Sequence, residues 1–593
     1  MTQVPEARPV RIANFSGFYG DRRGAARELL DGAEGIDVLT GDYLAELTML
    51  ILYKARQRDP RRGYATTFLD ELAEVLNTCI RRGVKVVTNA GGLNPGGLAE
   101  DVAALATRLG VEASVAVVEG DDLSDRIDEL MAEGWAFDHL DTGRPLREAP
   151  AKPVTANAYL GGWGIATALS KGADIVLTGR VTDASLVAGP AAWWHGWDPQ
   201  DWDRLAGAVV AGHIIECGTQ ATGGNYSFLD ELPDRRYPGF PIAEIGRDGS
   251  SVITKQPGSG GAVTKGTVTA QLLYEIGSPA YANPDVVAHF DSIQLTQATT
   301  DRVLVTGVRG SPPPDTLKVA INYPGGYRNS MTMVITGLDV AEKAARAESM
   351  LLELLGGSDQ FEEFSVQLID SGRPDASSNA DATSLLRVTV RDPDPDKVGR
   401  RFSNAVVALI LASYGGFYTT TPPQSESAYG VFWPALVPIA AVNHTVRLPD
   451  GEVTTIPPSP GKPWQESPGE ADPNTADDWG ETLDVPLGTV CGARSGDKGG
   501  NANIGLWARD DGAFEWMWSY LSASRLRSLL GEEAAGLEVR RYSLSNLRAL
   551  NFVVVGLLGA GVASSSRYDP QAKGLGEYVR SRLVALPARL LPA

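Results

Sequence analysis

A chain of 593 residues with 43% hydrophobic content is too long for one core, and its three cysteines, Cys79, Cys217 and Cys491, form no CxxC pair. That argues against a disulfide framework, a structural zinc site and an iron–sulfur cluster. A formal net charge of −20 without a long basic block argues against nucleic-acid binding; the start MTQVPEARPV has no leader-like pattern, and no apolar run reaches about 18 residues, so no membrane association and a cytoplasmic location are expected.

In chain order, Val10 to Phe15 reads as a strand, followed by a turn and a helix. Ile36 to Thr40 reads as a second strand leading into GDYLAELTMLILYKA, where Asp42 could cap a helix. Helix Thr66 to Arg82, strand Val84 to Ala90, helix Leu98 to Leu109 and strand ASVAVVEG repeat the alternation. A helix from about Tyr159 to Lys171 and the strand Asp174 to Leu177 continue it. Strands alternating with helices predict an α/β fold whose N-terminal domain, residues 1–300, is a doubly wound, mostly parallel sheet.

From about Asp301 the chain turns β-rich, and MTMVITG, helix Val340 to Leu355, FSVQLID, SLLRVTVRD, helix Asp396 to Ser413 and GGFYTTT make a βαββαβ order. This is the ferredoxin-like α+β arrangement, assigned to a domain at 301–448. Residues 449–482 are rich in Pro and acids and read as a linker, and 483–593 read as a compact C-terminal α+β domain.

Ligands of such sheets bind outside the carboxyl ends of the strands. The candidates there are Asn14 and Ser16, Asp42 and Glu46, Asn89 and Asn94, and Arg180 with Asp183. A later helix carries His213, Glu216 and Cys217 and ends in a loop with Gln220 and Asn225. Asp42, Glu46, Asp183, His213 and Glu216 are the expected acid–base groups, Cys217 an alternative nucleophile. Arg180 is expected to orient a carboxylate or thioester oxygen, with Asn89 and Asn225 as donors.

Lys255, Ser259, Gly260 and Gly261 approach a helix expected to begin near Gly261, a candidate anion site. VPLGTVCGARSGDKGGNANIGLWAR reads as two strands joined by a glycine-rich polar loop, and Arg494, Ser495, Asp497, Lys498 and Asn501 crowd that loop, expected to bind ligand or to pack near the N-terminal site. The five histidines are scattered with no HxxxH, so no metal is expected, while a carboxylate-held Mg²⁺ would leave little trace in sequence. No GxGxxG or P-loop pattern points to a bound nucleotide cofactor.

The stretches ANFSGFYGD, LTGDYLAELTM, VTNAGGLNPGGLA, ADIVLTGRVTDASLVAGP, HIIECGTQATGGNYS, KQPGSGGAVT and GARSGDKGGNANIGLWAR resemble the acyclic terpene utilisation protein A family. The last resembles that family's separate C-terminal ferredoxin-like domain. The resemblance implies bacterial degradation of acyclic terpenoids or branched acids through acyl-CoA intermediates, with CoA as part of the substrate. The expected activity is that of a lyase or hydratase on a small anionic acyl-CoA or related carboxylate. The alternative is a non-catalytic scaffold or accessory subunit of an acyl-CoA carboxylase or related enzyme. Open sheet faces and edges predict a homo-oligomer.

Overall fold

The computed structural model describes residues 8–473 and 479–591. Its N-terminal elements are β1 (Val10–Ser16), α1 (Ala25–Asp31), β2 (Val38–Gly41), α2 (Glu46–Arg58), α3 (Thr67–Arg82), β3 (Lys85–Thr88), α4 (Pro95–Leu109), β4 (Val115–Glu119), α5 (Ile127–Ala132), β5 (Thr155–Ala158), α6 (Trp163–Ser170), β6 (Ile175–Thr178), α7 (Ser185–His195), α8 (Trp202–Ile215), β7 (Pro241–Ile245), β8 (Ser251–Lys255) and α9 (Lys265–Leu272). Five strands pair in parallel in the order β1-β2-β3-β6-β4. Antiparallel strands extend both edges, so the whole sheet has eleven strands and is mixed: β7, β8 and the hairpin Gln294–Thr299/Arg302–Thr306 beyond β1, and Thr445–Arg447/Val453–Thr455 beyond β4.

Helices cover both faces because their apolar residues recur at helical spacing. On α3, Phe68, Leu72, Val75, Leu76 and Cys79 form a buried stripe, closed by Gly83 at φ 70°. On α4, Pro95 opens the helix, Asn94 accepts the Gly97 N–H at 3.0 Å, and Gly110 at φ 68° ends it. These two helices and α1 pack on one face. The near-continuous apolar runs of α6, α7 and α8 are buried on the other, each large side chain contributing about 1.5–3 kcal/mol.

The strand Thr316–Thr336 joins two units. Its first half pairs with β5 and with Ser427–Pro438, and its second half with Thr383–Asp392 and Tyr418–Thr419. The register shifts between Pro324 and Gly326, where Gly326 has φ 115° and a side chain would meet Asp392 and Pro393. The second half, Val340–Leu355, Glu363–Ile369, Thr383–Asp392, Phe402–Ala408 and Tyr418–Thr419 form the expected βαββαβ layer around its own core.

The C-terminal unit has a four-stranded antiparallel sheet in the order Cys491–Lys498, Asn501–Ala508, Ala549–Val554, Val539–Leu544. Between Asn501–Ala508 and Val539–Leu544 come two helices, Asp511–Tyr520 and Ala523–Leu530, the second capped by Ser522, which accepts from the Arg525 N–H. Much of the Pro- and acid-rich stretch is tied down. Lys462 exchanges backbone bonds with Pro313 and Asp315, Glu466 accepts the Ser278 N–H, and the Glu470 carboxylate pairs with the buried Arg541 at 3.0 Å. Residues 474–478 of that stretch lie outside the described residues. No described helix is long and apolar enough to cross a membrane.

Candidate functional site

The parallel strands end side by side, and each delivers a polar residue to the same edge. After β2, Asp42 is buried and accepts from Asn89 Nδ2 at 2.7 Å and from the Leu44 N–H at 3.2 Å. It does not cap α2, as its sequence position suggested: the helix begins only at Glu46, and the carboxylate turns inward to Asn89 after β3. After β6, the buried Arg180 sends Nη1 to the Leu44 carbonyl at 2.7 Å and to Asp183 Oδ1 at 3.1 Å, with its plane 4.2 Å from the Tyr159 ring. Its backbone N–H donates to Asp121, which follows β4 and also accepts from Asn157. Gly179 is required there, since a Cβ would lie 2.3 Å from the Asp121 carboxylate.

At the end of α8, His213 Nδ1 stands 3.2 Å from Glu216 Oε1, between the rings of Tyr281 and Phe290. Neither imidazole nitrogen nor Glu216 Oε2 has an aligned hydrogen bond among the described residues. Cys217 follows the helix, so it does not share a helix face with His213; Glu216 is the partner of the imidazole. Burial, and the negative charges of Glu216, Glu275 and Asp42, push the Cys217 thiol well above its ordinary range, the opposite of an activated nucleophile.

The facing wall comes from the other two units. Lys318 of the long strand lies 3.8 Å from Glu46 and 5.0 Å from the Tyr159 ring centre, and the Tyr159 hydroxyl donates to Glu46 at 3.2 Å. Lys498 donates to the Glu275 carbonyl at 2.7 Å and faces the Tyr281 ring. Lys573 bonds the Tyr274 hydroxyl and lies 3.5 Å from Glu275 and 3.7 Å from Asp497. Glu46, Asp183, Glu275, Lys318 and Lys573 keep between 30% and 38% of their side-chain surface, so water reaches this junction as a cleft. Asp42, Arg180, His213 and Glu216 form its buried floor.

The environments separate the acids. Burial raises Asp42, Asp183 and Glu216, reinforced by the charge of Asp183 at Asp42 and Glu216 and by Glu46 and Glu275 at Asp183, and only partly opposed by Arg180. Burial also works to raise Glu46, but Lys318 and Arg180 outweigh it and hold that carboxyl below its ordinary value. Burial, then repulsion from Lys498, pushes His213 down to about 4. Burial and the neighbouring Lys318 lower Lys498, and burial with the charge of Glu275 lifts Asp497 to about 7. Among the described residues no group of three or more His, Cys, Asp or Glu side chains is placed to hold a metal ion.

Other candidates have different employment. Asn14 donates to the Ile215 and Glu216 carbonyls, locking β1 to the end of α8, and Ser16 donates to the Asp42 carbonyl. Asn94 is a helix cap whose amide also holds the Arg61 and Arg62 carbonyls. The anion site expected at Lys255, Ser259, Gly260 and Gly261 does not form. α9 starts at Lys265 with Thr264 and Thr267 capping each other, while buried Lys255 is spent on Asp301 at 3.1 Å and the Ser259 carbonyl.

The two expected strands form a hairpin, but only Gly499 and Gly500 lie between them, which puts Arg494, Ser495, Asp497 and Lys498 on one strand and Asn501 and Asn503 on the other. Gly496 and Gly505 look like loop residues but serve close approach: a Cβ on either would lie 2.4 Å from Tyr274 or Leu273. The hairpin does reach the N-terminal unit. Arg494 bonds Gln220, Asn503 accepts the Glu275 N–H at 2.8 Å, and Asn501 donates to Asp141 at 2.7 Å. Asn225, with φ 56°, sits beside this contact.

Tyr159, Glu275, Tyr281, Lys318 and Lys573 were not identified from the sequence. In the structure Glu275 is held in the left-handed region, at φ 56°, just before Ile276 and Gly277.

The family model described as acyclic terpene utilisation family protein AtuA matches residues 10–448, and the one described as AtuA ferredoxin-like domain matches residues 485–585. No curated protein and no solved structure matches the chain. With the first model spanning most of the chain and the second covering the hairpin that closes the cleft, the chain belongs to the acyclic terpene utilisation AtuA family.

Proposed function

We propose that the chain is a lyase or hydratase of acyclic terpenoid or branched-acid breakdown, acting on an acyl-CoA or related carboxylate by general acid–base catalysis. One observation carries the reading: a carboxylate held ionised, Glu46, lines the same cleft as Asp183, whose environment favours the protonated acid. Two carboxyl groups pushed in opposite directions are suited to opposite ends of a proton transfer. In the hydration direction, water bonds to Cβ of an enoyl thioester and gives its proton to Glu46. The alkene electrons move toward the carbonyl, whose oxygen Arg180 orients, and Cα takes a proton from Asp183. The proton taken up by Glu46 returns to Asp183 through the water of the cleft, which resets both groups, with Glu216, buried beside His213, a further acid on the same floor.

The test is a mass assay of the purified chain with branched enoyl-CoA and 3-hydroxyacyl-CoA thioesters. Gain or loss of one water is expected, reduced at least about a hundredfold in Glu46→Gln and Asp183→Asn. If no thioester changes mass, or both variants keep wild-type rates, the reading fails. Co-purification with a carboxylase in the absence of turnover would instead support an accessory role.

A further inference from the structure

Three arginines are buried among the described residues: Arg180, Arg494 and Arg541. Two of them stand among carboxyl groups, Arg180 beside Asp183 with Glu46 and Asp42 near, and Arg541 beside Glu470. Arg494 meets none. It is 6% exposed, its guanidinium lies 4.2 Å over the Tyr274 ring, and its hydrogen-bond partner is the neutral amide of Gln220. A buried cation without an anion is costly, and a folded chain removes that cost when a ligand brings the missing charge.

Arg494 opens on a cavity of about 300 Å³ between the C-terminal hairpin and the loop after α8, lined also by Asn225, Ser227, Ser495, Lys573 and Glu577. The one acid in this lining is already used: Glu577 is paired to Arg580 at 2.7 Å and accepts from Ser227. Lys573 is shared between Glu275 and Asp497, and Asp497 carries its full charge only above about pH 7. The lining is therefore cationic in a chain of formal net charge −20.

We propose that this cavity binds a phosphate-class anion. A planar carboxylate is satisfied by one arginine fork. A guanidinium and an ammonium from two chain segments, 4.2 and 4.5 Å from the centre of the same Tyr274 ring, suit a multiply charged tetrahedral group that offers oxygens on several sides. The volume admits a diphosphate. Lys573 lines this cavity and also stands 3.5 Å from Glu275 and 3.7 Å from Asp497, so the cavity adjoins the C-terminal side of the acid cleft. The claim deepens the thioester reading by assigning the phosphates of the CoA handle to Arg494 and Lys573; free phosphate is the other source of the same chemistry.

Calorimetry on the full chain in phosphate-free buffer, with inorganic phosphate, pyrophosphate, CoA and malonate as separate probes, tests it without turnover. A failed hydration assay therefore leaves this result standing. Binding of CoA and pyrophosphate is expected, each displacing the other, and weakened about ten- to a hundredfold in Arg494→Gln and Lys573→Gln. Phosphate and pyrophosphate binding that depends on Arg494, with CoA silent, would support the site and assign it to the free ion. Failure of all three phosphate probes, equal affinities in wild type and both variants, or binding of malonate alone would overturn it. If Arg494→Gln does not fold, Lys573→Gln, on a side chain 38% exposed, decides the matter by the same affinities.

Discussion

The two units that close the cleft against the N-terminal sheet are both α+β layers with cores of their own, yet they meet it in opposite ways. The middle layer is rooted in the N-terminal core by the first half of Thr316–Thr336, where Leu317, Val319 and Ile321 are buried, and it gives the cleft one charged side chain, Lys318. Its distal part leaves Leu338 at 81% and Leu411 at 98% exposure. The C-terminal layer shares no sheet with the N-terminal strands. It docks instead through a hairpin face and brings Arg494, Asp497, Lys498 and, from beyond its sheet, Lys573. Covalent continuity within a sheet thus says little about which unit furnishes a site; a docked surface can supply more of it.

The largest effect that would sharpen this contrast comes from ending the chain at Gly480. The hairpin buries Trp507, stacked on Tyr226 and edge-on to Phe228, and Leu273 fits against Gly505. Exposing these contacts costs several kcal/mol, so the shortened chain is expected to melt about 5–10 °C lower in calorimetry and to lose ligand binding. An unchanged melting temperature would make the C-terminal layer an independent passenger.

The second effect depends on pH. Asp497 has a folded value of about 7, raised above the ordinary value of about 4 chiefly by burial. The folded state therefore favours its protonated form: the stability it contributes is complete below about pH 4 and is lost as pH rises through about 7. Asp497→Asn stays neutral throughout. It is expected to match wild type near pH 4 and to exceed it at pH 8 by on the order of 2–4 kcal/mol in urea unfolding. A variant less stable than wild type at pH 8 would mean that the Lys573 pair outweighs burial.

Which of these features sequence could reveal follows from their range. The helix Val340–Leu355 and the parallel strands were legible, because periodicity and glycine stops are local. So were Asp42, Arg180 and Asp183, since a parallel strand's carboxyl end is read from the strand itself. Lys318, Glu275 and Lys573 were not, because their value lies in tertiary pairing across some 270 to 300 positions. Lys255 misled for the same reason: beside a glycine-rich loop it resembles an anion ligand, until Asp301, far along the chain, takes its charge. The loop of the hairpin reads too long in sequence because a glycine chosen for contact, as Gly496 is for Tyr274, is indistinguishable there from a glycine chosen for a turn.

That last distinction is open to direct test. In a turn, Gly505→Val would be felt only through the backbone. In the docked strand a Cβ would fall 2.4 Å from Leu273 Cβ and 3.0 Å from its carbonyl oxygen. The φ of Gly505 is not among the positive ones, so valine's strand preference does not oppose the change and the whole cost arises between the two units. The expected loss is about 1–3 kcal/mol in urea unfolding, with weaker binding at the Arg494 cavity. Leu411→Ser in the middle layer supplies the matching control and the smallest effect. A side chain 98% exposed buries almost no apolar surface in the folded chain, so its replacement should change stability by no more than about 0.5 kcal/mol. A loss above about 1 kcal/mol that grows with protein concentration would show Leu411 covered in solution by another copy, and the middle layer would then be a docking surface as well.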